Sequence, residues 1–400
     1  MAALLAACAS SPPVVPQLLP APLAQADAAV QRFVDDGQMP GAVLWIEHGG
    51  EHHVRAFGQR VLPGPEGAEA MTADTVFDAA SLTKATVTAL VVEKLREAGR
   101  LDVDAPVARY LPECNMPDKA AITLRQLLTH SSGLRPDLPK SDDFFAGPEP
   151  QSVEMAPAQR ATRVDQAVAR ACALSLESPP GTQFRYSDLN FILLGAVAAR
   201  AGGAPLQELA RQLVFEPLGM RDSGYLPLDR GVSAVRIAPT ARVGGETGTL
   251  LRGVVHDPTA RQMGGVAGHA GLFTTAADLA RLARMLLNDG LADDGRRYLS
   301  HESIVLLETP QSGLAEQRSL GWDIDTAFSR PRGALYPKGV SFGHTGFTGC
   351  LIWLDPQSRS FVILLSHRVH EPHGTNILPL YGELGTLAAE AAGYAPTGAR

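Results

Sequence analysis

The two residues whose types and spacing are best suited to chemistry are Ser81 and Lys84, three positions apart. In a helix, side chains three apart lie on one face, about one turn from each other. A serine at the first helical position stands where the backbone N–H groups and the helix dipole favour an anion, such as a tetrahedral oxyanion. The lysine can reach back as hydrogen-bond partner and base. The alternative is a helix-capping serine with a solvated lysine, because about one such spacing is expected by chance in a chain of this length.

Two later stretches carry further polar groups of this kind: Tyr186-Ser187-Asp188 and His344-Thr345-Gly346. A hydroxyl is a poor nucleophile unless a neighbour takes its proton. The candidates for that neighbour are Lys84 and the phenol of Tyr186. Both groups have ordinary pKa values of about 10, so one of the two must be depressed if it is to act as a base near neutral pH.

The composition limits the classes of function that the chain can have. It has 400 residues, 45% hydrophobic and 19% charged, and a net charge of -7. This length predicts two lobes or one large α/β body. The negative charge argues against nucleic acid as a partner and against an acidic membrane surface. There is no CxxC pair and no HExxH spacing, so we predict neither a metal site nor a cofactor.

The elements that must position these residues form strands at both chain ends and helices in the middle. The simplest packing is an α+β fold: one antiparallel sheet built from both chain ends, flanked by helices, with an inserted all-helical lobe. We assign residues 25–104 plus 300–395 to the sheet domain and 105–299 to the helical lobe with its active-site loops. Two long excursions, 135–157 and 225–258, are expected to determine substrate specificity.

The N-terminus contains Leu5-Ala6-Ala7-Cys8, which resembles a bacterial lipobox, although a basic n-region and a longer apolar core are missing. We interpret residues 1–24 as a signal remnant followed by a Pro-rich tether. This predicts lipidation of Cys8, possible attachment to a membrane, and a periplasmic or outer-membrane-anchored location. The alternative is an Ala/Leu-rich tail that arose by chance. The other three cysteines are predicted to be mainly buried thiols; they are Cys114, Cys172 and Cys350.

With the three motifs in this order, the chain resembles the serine β-lactamase and penicillin-binding protein superfamily, in its class C-like branch. Flanking phrases add to the resemblance, which covers about residues 42 to 365: Asp78-Ala79-Ala80-Ser81-Leu82-Thr83-Lys84, Leu127-Leu128-Thr129-His130-Ser131-Ser132-Gly133 and Gly343-His344-Thr345-Gly346-Phe347-Thr348-Gly349. It implies a β-lactamase/transpeptidase-like fold and an acyl-enzyme on Ser81. It also implies an oxyanion held by the backbone N–H groups of Ser81 and Phe347, with His344, Thr345 and Gly346 lining the substrate site.

The chain departs from this family pattern at two positions. Asp188 stands where the family often has asparagine, and an ionised carboxylate cannot donate to a substrate carbonyl. A carboxylate near Lys84 would also raise the lysine pKa, so we expect Lys84 to stay charged and Tyr186 to be the base. Asn190 should point elsewhere on a regular helix. The third motif has His344 rather than lysine, which weakens recognition of a substrate carboxylate and argues against strong β-lactamase activity.

The predicted function is serine acyl-hydrolysis of a cell-wall-type peptide or amide bond, as by a D-Ala-D-Ala carboxypeptidase, or of a β-lactam. The partner would be a small molecule or a peptidoglycan peptide; the oligomeric state stays open. One alternative is a carboxylesterase on the same scaffold, and another is a non-catalytic penicillin- or peptidoglycan-binding protein. A competing motif, G-x-S-x-G at 339–343, lacks the helix that a nucleophile elbow needs after its serine.

Overall fold

One antiparallel sheet contains strands from both ends of the chain. The computed structural model describes residues 17–64, 67–146, 155–243, 248–370 and 376–395. Within these ranges the strands are β1 (Gly41–His48), β2 (Glu51–Gly64), β3 (Gly67–Ala70), β4 (Phe77–Asp78), β5 (Arg242–Val243), β6 (Thr249–Leu250), β7 (Phe273–Thr274), β8 (Gln317–Arg318), β9 (Asp323–Asp325), β10 (Phe342–Gly346), β11 (Cys350–Asp355) and β12 (Ser360–Ser366). The large sheet has the order β3-β2-β1-β12-β11-β10-β9-β8. It thus joins strands from both chain ends, as predicted.

Helices cover both faces of this sheet. They are α1 (Pro20–Asp35), α2 (Ala89–Glu97), α3 (Leu124–Leu128), α4 (Pro157–Ala173), α5 (Asp188–Gly202), α6 (Leu206–Ala210), α7 (Glu216–Leu218), α8 (Pro258–Gln262), α9 (Ala276–Leu287), α10 (His301–Glu308) and α11 (Leu378–Ala391). Successive residues of a strand point to opposite faces. Accordingly, Leu44 and Ile46 belong to the core under α1 and α11, and Val43 and Trp45 to the larger core on the other face.

Helix α5 lies at the centre of the helical lobe and is apolar on all sides. Its residues from Leu189 to Ala198 are buried, and it contacts α2, α3, α4 and α6. A helix that is apolar all round must be surrounded by protein, and this fixes α5 as the rigid support for the residues at its N-terminus. The described part of the region predicted to be all-helical also contains three two-residue strands. One of them, β7, pairs with β4, which ends three residues before Ser81.

The prediction of mainly buried thiols is wrong for two cysteines. Cys114 and Cys172 form a disulfide that connects the turn before α3 to the end of α4, across a sequence separation of 58 residues. Cys350 is a buried free thiol. In the chain-entropy model, closing a loop of this length stabilises the fold by about 4 kcal/mol. The pairing depends on tertiary packing, which no spacing in the sequence indicates.

The predicted N-terminal tether, which extends to residue 24, overlaps the first helix of the structure. Helix α1 begins at Pro20, because proline is favoured in the first turn of a helix, where its missing N–H is not needed. Cys8 and the rest of the first 16 residues lie outside the described residues, so the predicted lipidation site has no structural account. In the described part, no single helix has the length and apolarity to cross a membrane; only the bent pair 188–202 and 206–218 meets the criterion by length and composition.

Candidate active site

Ser81 follows a strained turn that is held by a buried carboxylate. Ala80 has a φ of 46°, a left-handed conformation that is uncommon for a residue with a side chain. Asp78 accepts hydrogen bonds from Ala80 N at 2.9 Å and from His256 N at 2.6 Å. Burial raises the pKa of Asp78 to about 6, although these two backbone donors act in the opposite direction. Strain of this kind persists only where surrounding contacts fix it, and it is concentrated at functional sites.

The fully buried Lys84 directs its ammonium group at Ser81. Its Nζ lies 2.9 Å from Ser81 Oγ, 2.9 Å from the His269 carbonyl oxygen and 2.7 Å from Asp188 Oδ1. Burial lowers the pKa of Lys84, but the charge of Asp188 and the Tyr186 phenol outweigh burial, so the net pKa lies above its ordinary value. A protonated Lys84 donates to Ser81 and cannot take its proton.

The glycine-dense segment 264–273 supplies one of these Lys84 contacts. A Cβ at Gly268 would lie 2.0 Å from the Phe191 carbonyl oxygen, so only glycine permits this approach to α5. The close approach delivers the carbonyl of the next residue, His269, to Lys84. The His269 side chain is buried against Asp257, with Nε2 and Oδ1 2.9 Å apart. No motif in the sequence indicates this role of the segment.

Tyr186 and Asp188 reach the site from the N-terminus of α5. The turn before the helix is anchored to the first excursion: Asp188 N donates to Pro136 O at 2.7 Å, and Ser187 Oγ donates to Arg135 O at 2.6 Å. The Tyr186 ring centroid lies 5.1 Å from Lys84 Nζ. The predicted motif therefore brings its tyrosine and its carboxylate to the same ammonium group.

His130, which sequence reasoning did not single out, supports Tyr186 from behind. Its imidazole stacks on the Tyr186 ring with centroids 4.4 Å apart. Its Nδ1 accepts from Ser187 N at 3.1 Å, and its carbonyl accepts from Arg185 N at 2.9 Å. Burial, followed by the charges of Arg318 and Lys84, lowers the pKa of His130 well below its ordinary value. A neutral ring packed in this way fixes the position of Tyr186.

The third motif forms strand β10, whose end meets the Ser81 turn. A Cβ at Gly346 would lie 2.5 Å from Ala79 O, and Thr348 Oγ1 donates to Asp78 O at 2.8 Å. His344 Nδ1 lies 2.8 Å from the Thr345 carbonyl oxygen, which assigns the proton to that nitrogen. Burial, then the Arg318 and Lys84 charges, lower the pKa of His344 well below its ordinary value. His344 is therefore uncharged at neutral pH.

A cavity of about 300 Å³ opens above these groups. Its lining includes Ser81, Tyr186, His344 and Thr345. Two exposed aromatic side chains also border it: Phe328 is 48% exposed and Phe347 is 61% exposed. The cavity thus combines a polar floor with aromatic edges and suits a small polar substrate with an apolar part. Among the residues that the structure describes, no cluster of three or more His, Cys, Asp or Glu side chains could hold a metal ion.

The two remaining sequence candidates are separate from this cluster. Asn190 contacts His130 and Ser132 in the interior, so it points away from Lys84 as predicted. Ser341 of the competing G-x-S-x-G motif is buried, donates to Pro337 O at 2.9 Å and leads into strand β10, so no helix follows it. The nucleophile-elbow alternative therefore lacks its required geometry.

Comparisons with known proteins agree with this arrangement. Residues 26–384 match the family model described as Beta-lactamase. An Escherichia coli (strain K12) protein named as a D-alanyl-D-alanine carboxypeptidase is 30% identical over 323 residues, which cover 75% of this chain and 71% of that protein. A Bacillus subtilis (strain 168) protein named N-acetylmuramyl-L-alanine amidase is 29% identical over 384 residues, or 88% of this chain and 82% of that protein.

A similarity of fold alone extends to solved structures. A protein from Caulobacter crescentus, described as a novel penicillin-binding protein homologue, has a TM-score of 0.71 against this chain at 22% sequence identity. The likeness covers 94% of this chain and 98% of that one.

Proposed function

The chain belongs to the beta-lactamase family of hydrolases, and we propose that it hydrolyses a cell-wall-type peptide or amide bond through an acyl-enzyme on Ser81. The observation that carries this proposal is the contact of a buried, charged Lys84 with Ser81 Oγ at 2.9 Å. The alternative interpretation, a helix-capping serine with a solvated lysine, would not leave the lysine fully buried. The names of the two relatives, a D-alanyl-D-alanine carboxypeptidase and an N-acetylmuramyl-L-alanine amidase, support the cell-wall substrate class.

In the proposed mechanism, Ser81 Oγ attacks the acyl carbon of the substrate while Tyr186 takes the hydroxyl proton. The backbone N–H groups of Ser81 and Phe347 stabilise the oxyanion, and each donor of this kind contributes about 10²–10³ in rate. The proton passes to the leaving amine as the C–N bond breaks. Water then attacks the ester of Ser81 with the same base, which releases the acid product and restores the serine.

The second candidate is a carboxylesterase. The specific observation in its favour is the neutral His344, because a substrate carboxylate finds no cation at that position of the third motif. An ester needs no such cation, and the aromatic edges of the cavity suit an apolar acyl or alcohol group. The non-catalytic binding alternative is disfavoured, because Ser81, Lys84 and Tyr186 are all present and Lys84 lies close to both of the others.

The proposal is tested by a fluorescent penicillin, a D-Ala-D-Ala peptide, nitrocefin and a nitrophenyl ester, each with the purified protein. We expect peptide turnover and a covalent penicillin adduct, which mass spectrometry of the digested protein locates on the peptide that contains Ser81. Turnover of the nitrophenyl ester alone would assign the esterase function. Reversible binding of penicillin without any adduct or turnover would contradict catalysis.

We also propose that the protein works in the bacterial envelope, attached by a lipid on Cys8. The Cys114–Cys172 disulfide supports export, because such bonds persist in oxidising compartments. Expressed from its native gene in a bacterium, the protein should incorporate labelled palmitate and fractionate with membranes, and Cys8→Ala should abolish both. A Cys350→Ala variant, which changes a buried thiol, is the matched control. Label that persists in the Cys8→Ala variant would contradict this assignment.

A further inference from the structure

A second buried cation, Arg318 on strand β8, lies beside the tyrosine of the site. Its side chain is 1% exposed and borders the same cavity as Ser81. The guanidinium carbon lies 5.9 Å from the Tyr186 ring centroid and 5.6 Å from that of Phe184. Lys84 Nζ lies 5.1 Å from the same Tyr186 ring. Two side-chain cations therefore flank one phenol.

The charge of Arg318 is only loosely paired. Its Nη1 lies 3.3 Å from Asp323 Oδ1, the cross-strand neighbour on β9, and its Nη2 lies 3.3 Å from Gly321 O. Its Nε has no hydrogen-bond partner among the described residues. The Asp323 carboxylate is already held at 2.7 Å by each of two hydroxyls, from Thr326 and Ser329. Asp323 therefore compensates the charge of the guanidinium only in part, because this ion pair is longer than the 2.7 Å pair of Lys84 with Asp188.

Lys84 is the other cation near Tyr186, and it is charged, but it shares its charge with the Asp188 carboxylate at 2.7 Å. His130 stacks on the ring, and the His344 centroid lies 6.1 Å from it. Both histidines are uncharged, because burial and then the neighbouring cations lower the pKa of each. Of the two cations near the phenol in the described part of the chain, Arg318 has the longer ion pair.

We propose, on the basis of the function proposed above, that Arg318 is a positioning residue that stabilises the negative charge of Tyr186 when this group acts as the base. A Lys-Thr-Gly motif would provide a lysine at the third motif, where this chain has His344. Arg318 takes over the role of that lysine. The buried carboxylate of Asp323 holds the guanidinium in place and moderates its charge.

The test is the pH dependence of kcat/KM for paired variants of opposite sign. The acid limb of this profile is the rise of kcat/KM with pH as the catalytic base loses its proton. Arg318→Gln removes the cation, and we expect the limb to move to higher pH by about one to two units. This is the effect of one unit charge at this separation for an effective dielectric constant of about 20–40. At a pH below the limb this corresponds to about a 10- to 100-fold loss. Asp323→Asn leaves the cation uncompensated and should move the limb to lower pH. Arg318→Lys should restore much of the wild-type profile.

Arg332→Gln is the matched control, because Arg332 pairs with Asp325 outside the cavity. A merely structural role for Arg318 would lower kcat/KM at all pH values without moving the acid limb. The inference would be overturned if the normalised pH profiles of Arg318→Gln and Asp323→Asn both superimposed on that of the wild type. If Arg318→Gln fails to fold, the opposite shift in Asp323→Asn and the profile of Arg318→Lys decide the matter. Failure of the proposed acyl-enzyme chemistry differs from all of these, since the wild-type protein would then hydrolyse neither peptide nor ester and carry no adduct on Ser81.

Discussion

The Ser81→Ala variant is expected to lose about 10⁴–10⁶-fold in kcat, because alanine has no atom that can form the acyl-enzyme. Only substrate binding and the oxyanion donors would remain to accelerate hydrolysis. The fold should survive, since Lys84 keeps two of its three contacts, Asp188 at 2.7 Å and the His269 carbonyl at 2.9 Å. The measurement is kcat and KM for the best substrate of the panel, with the melting temperature as a check on folding.

Ser341→Ala is the matched control, because it removes the serine of the competing motif. That hydroxyl donates one buried hydrogen bond, to Pro337 O, so its loss should cost about 1 kcal/mol of stability and leave kcat near wild type. The reverse result, with turnover lost in Ser341→Ala and kept in Ser81→Ala, would remove Ser81 from the nucleophile role.

The sequence predicted the two residue pairs of the site whose members lie close together in the chain. Ser81 and Lys84 share one helical turn, and Tyr186 and Asp188 share the start of α5, so their spacing carries the geometry. The expectation that Lys84 stays charged is based on Asp188, and the contact of 2.7 Å agrees with it, while the Tyr186 phenol acts in the same direction. The strands β11 and β12 could likewise be predicted, because each is a short apolar run with a turn between them.

Other parts of the site depend on contacts between distant segments, which the sequence does not specify. Arg318 comes close to Tyr186 only because β8 is the edge strand beside β9, and its sequence neighbours give no sign of this. The Cys114–Cys172 disulfide has the same origin. The role of His130 likewise becomes visible only in the structure, where this bulky residue adopts a φ of 56° after α3, a conformation that favours glycine. A strained residue at such a helix end is typical of a functional position.

The Tyr186→Phe variant is expected to lower the rate of acylation by about 10²–10⁴-fold, the usual contribution of a general base. Lys84 cannot replace the lost group while Asp188, 2.7 Å away, keeps it protonated. Stopped-flow measurement of acylation is the appropriate experiment, because steady-state rates would mix acylation with hydrolysis of the acyl-enzyme. Acylation close to the wild-type rate would move the base role to Lys84.

The phenylalanine change tests the hydroxyl rather than the ring. Tyr186 stacks on His130 with centroids 4.4 Å apart and contacts Phe328 at 5.5 Å, and phenylalanine preserves both contacts. Tyr336→Phe is the matched control: its hydroxyl bonds to Ser360 Oγ at 2.9 Å in the core on the opposite face of the sheet, so its removal should affect stability but not acylation. We expect the acylation rate to fall in Tyr186→Phe and not in Tyr336→Phe. If the acid limb that the Arg318 and Asp323 variants shift also disappears in Tyr186→Phe, that limb belongs to the Tyr186 phenol.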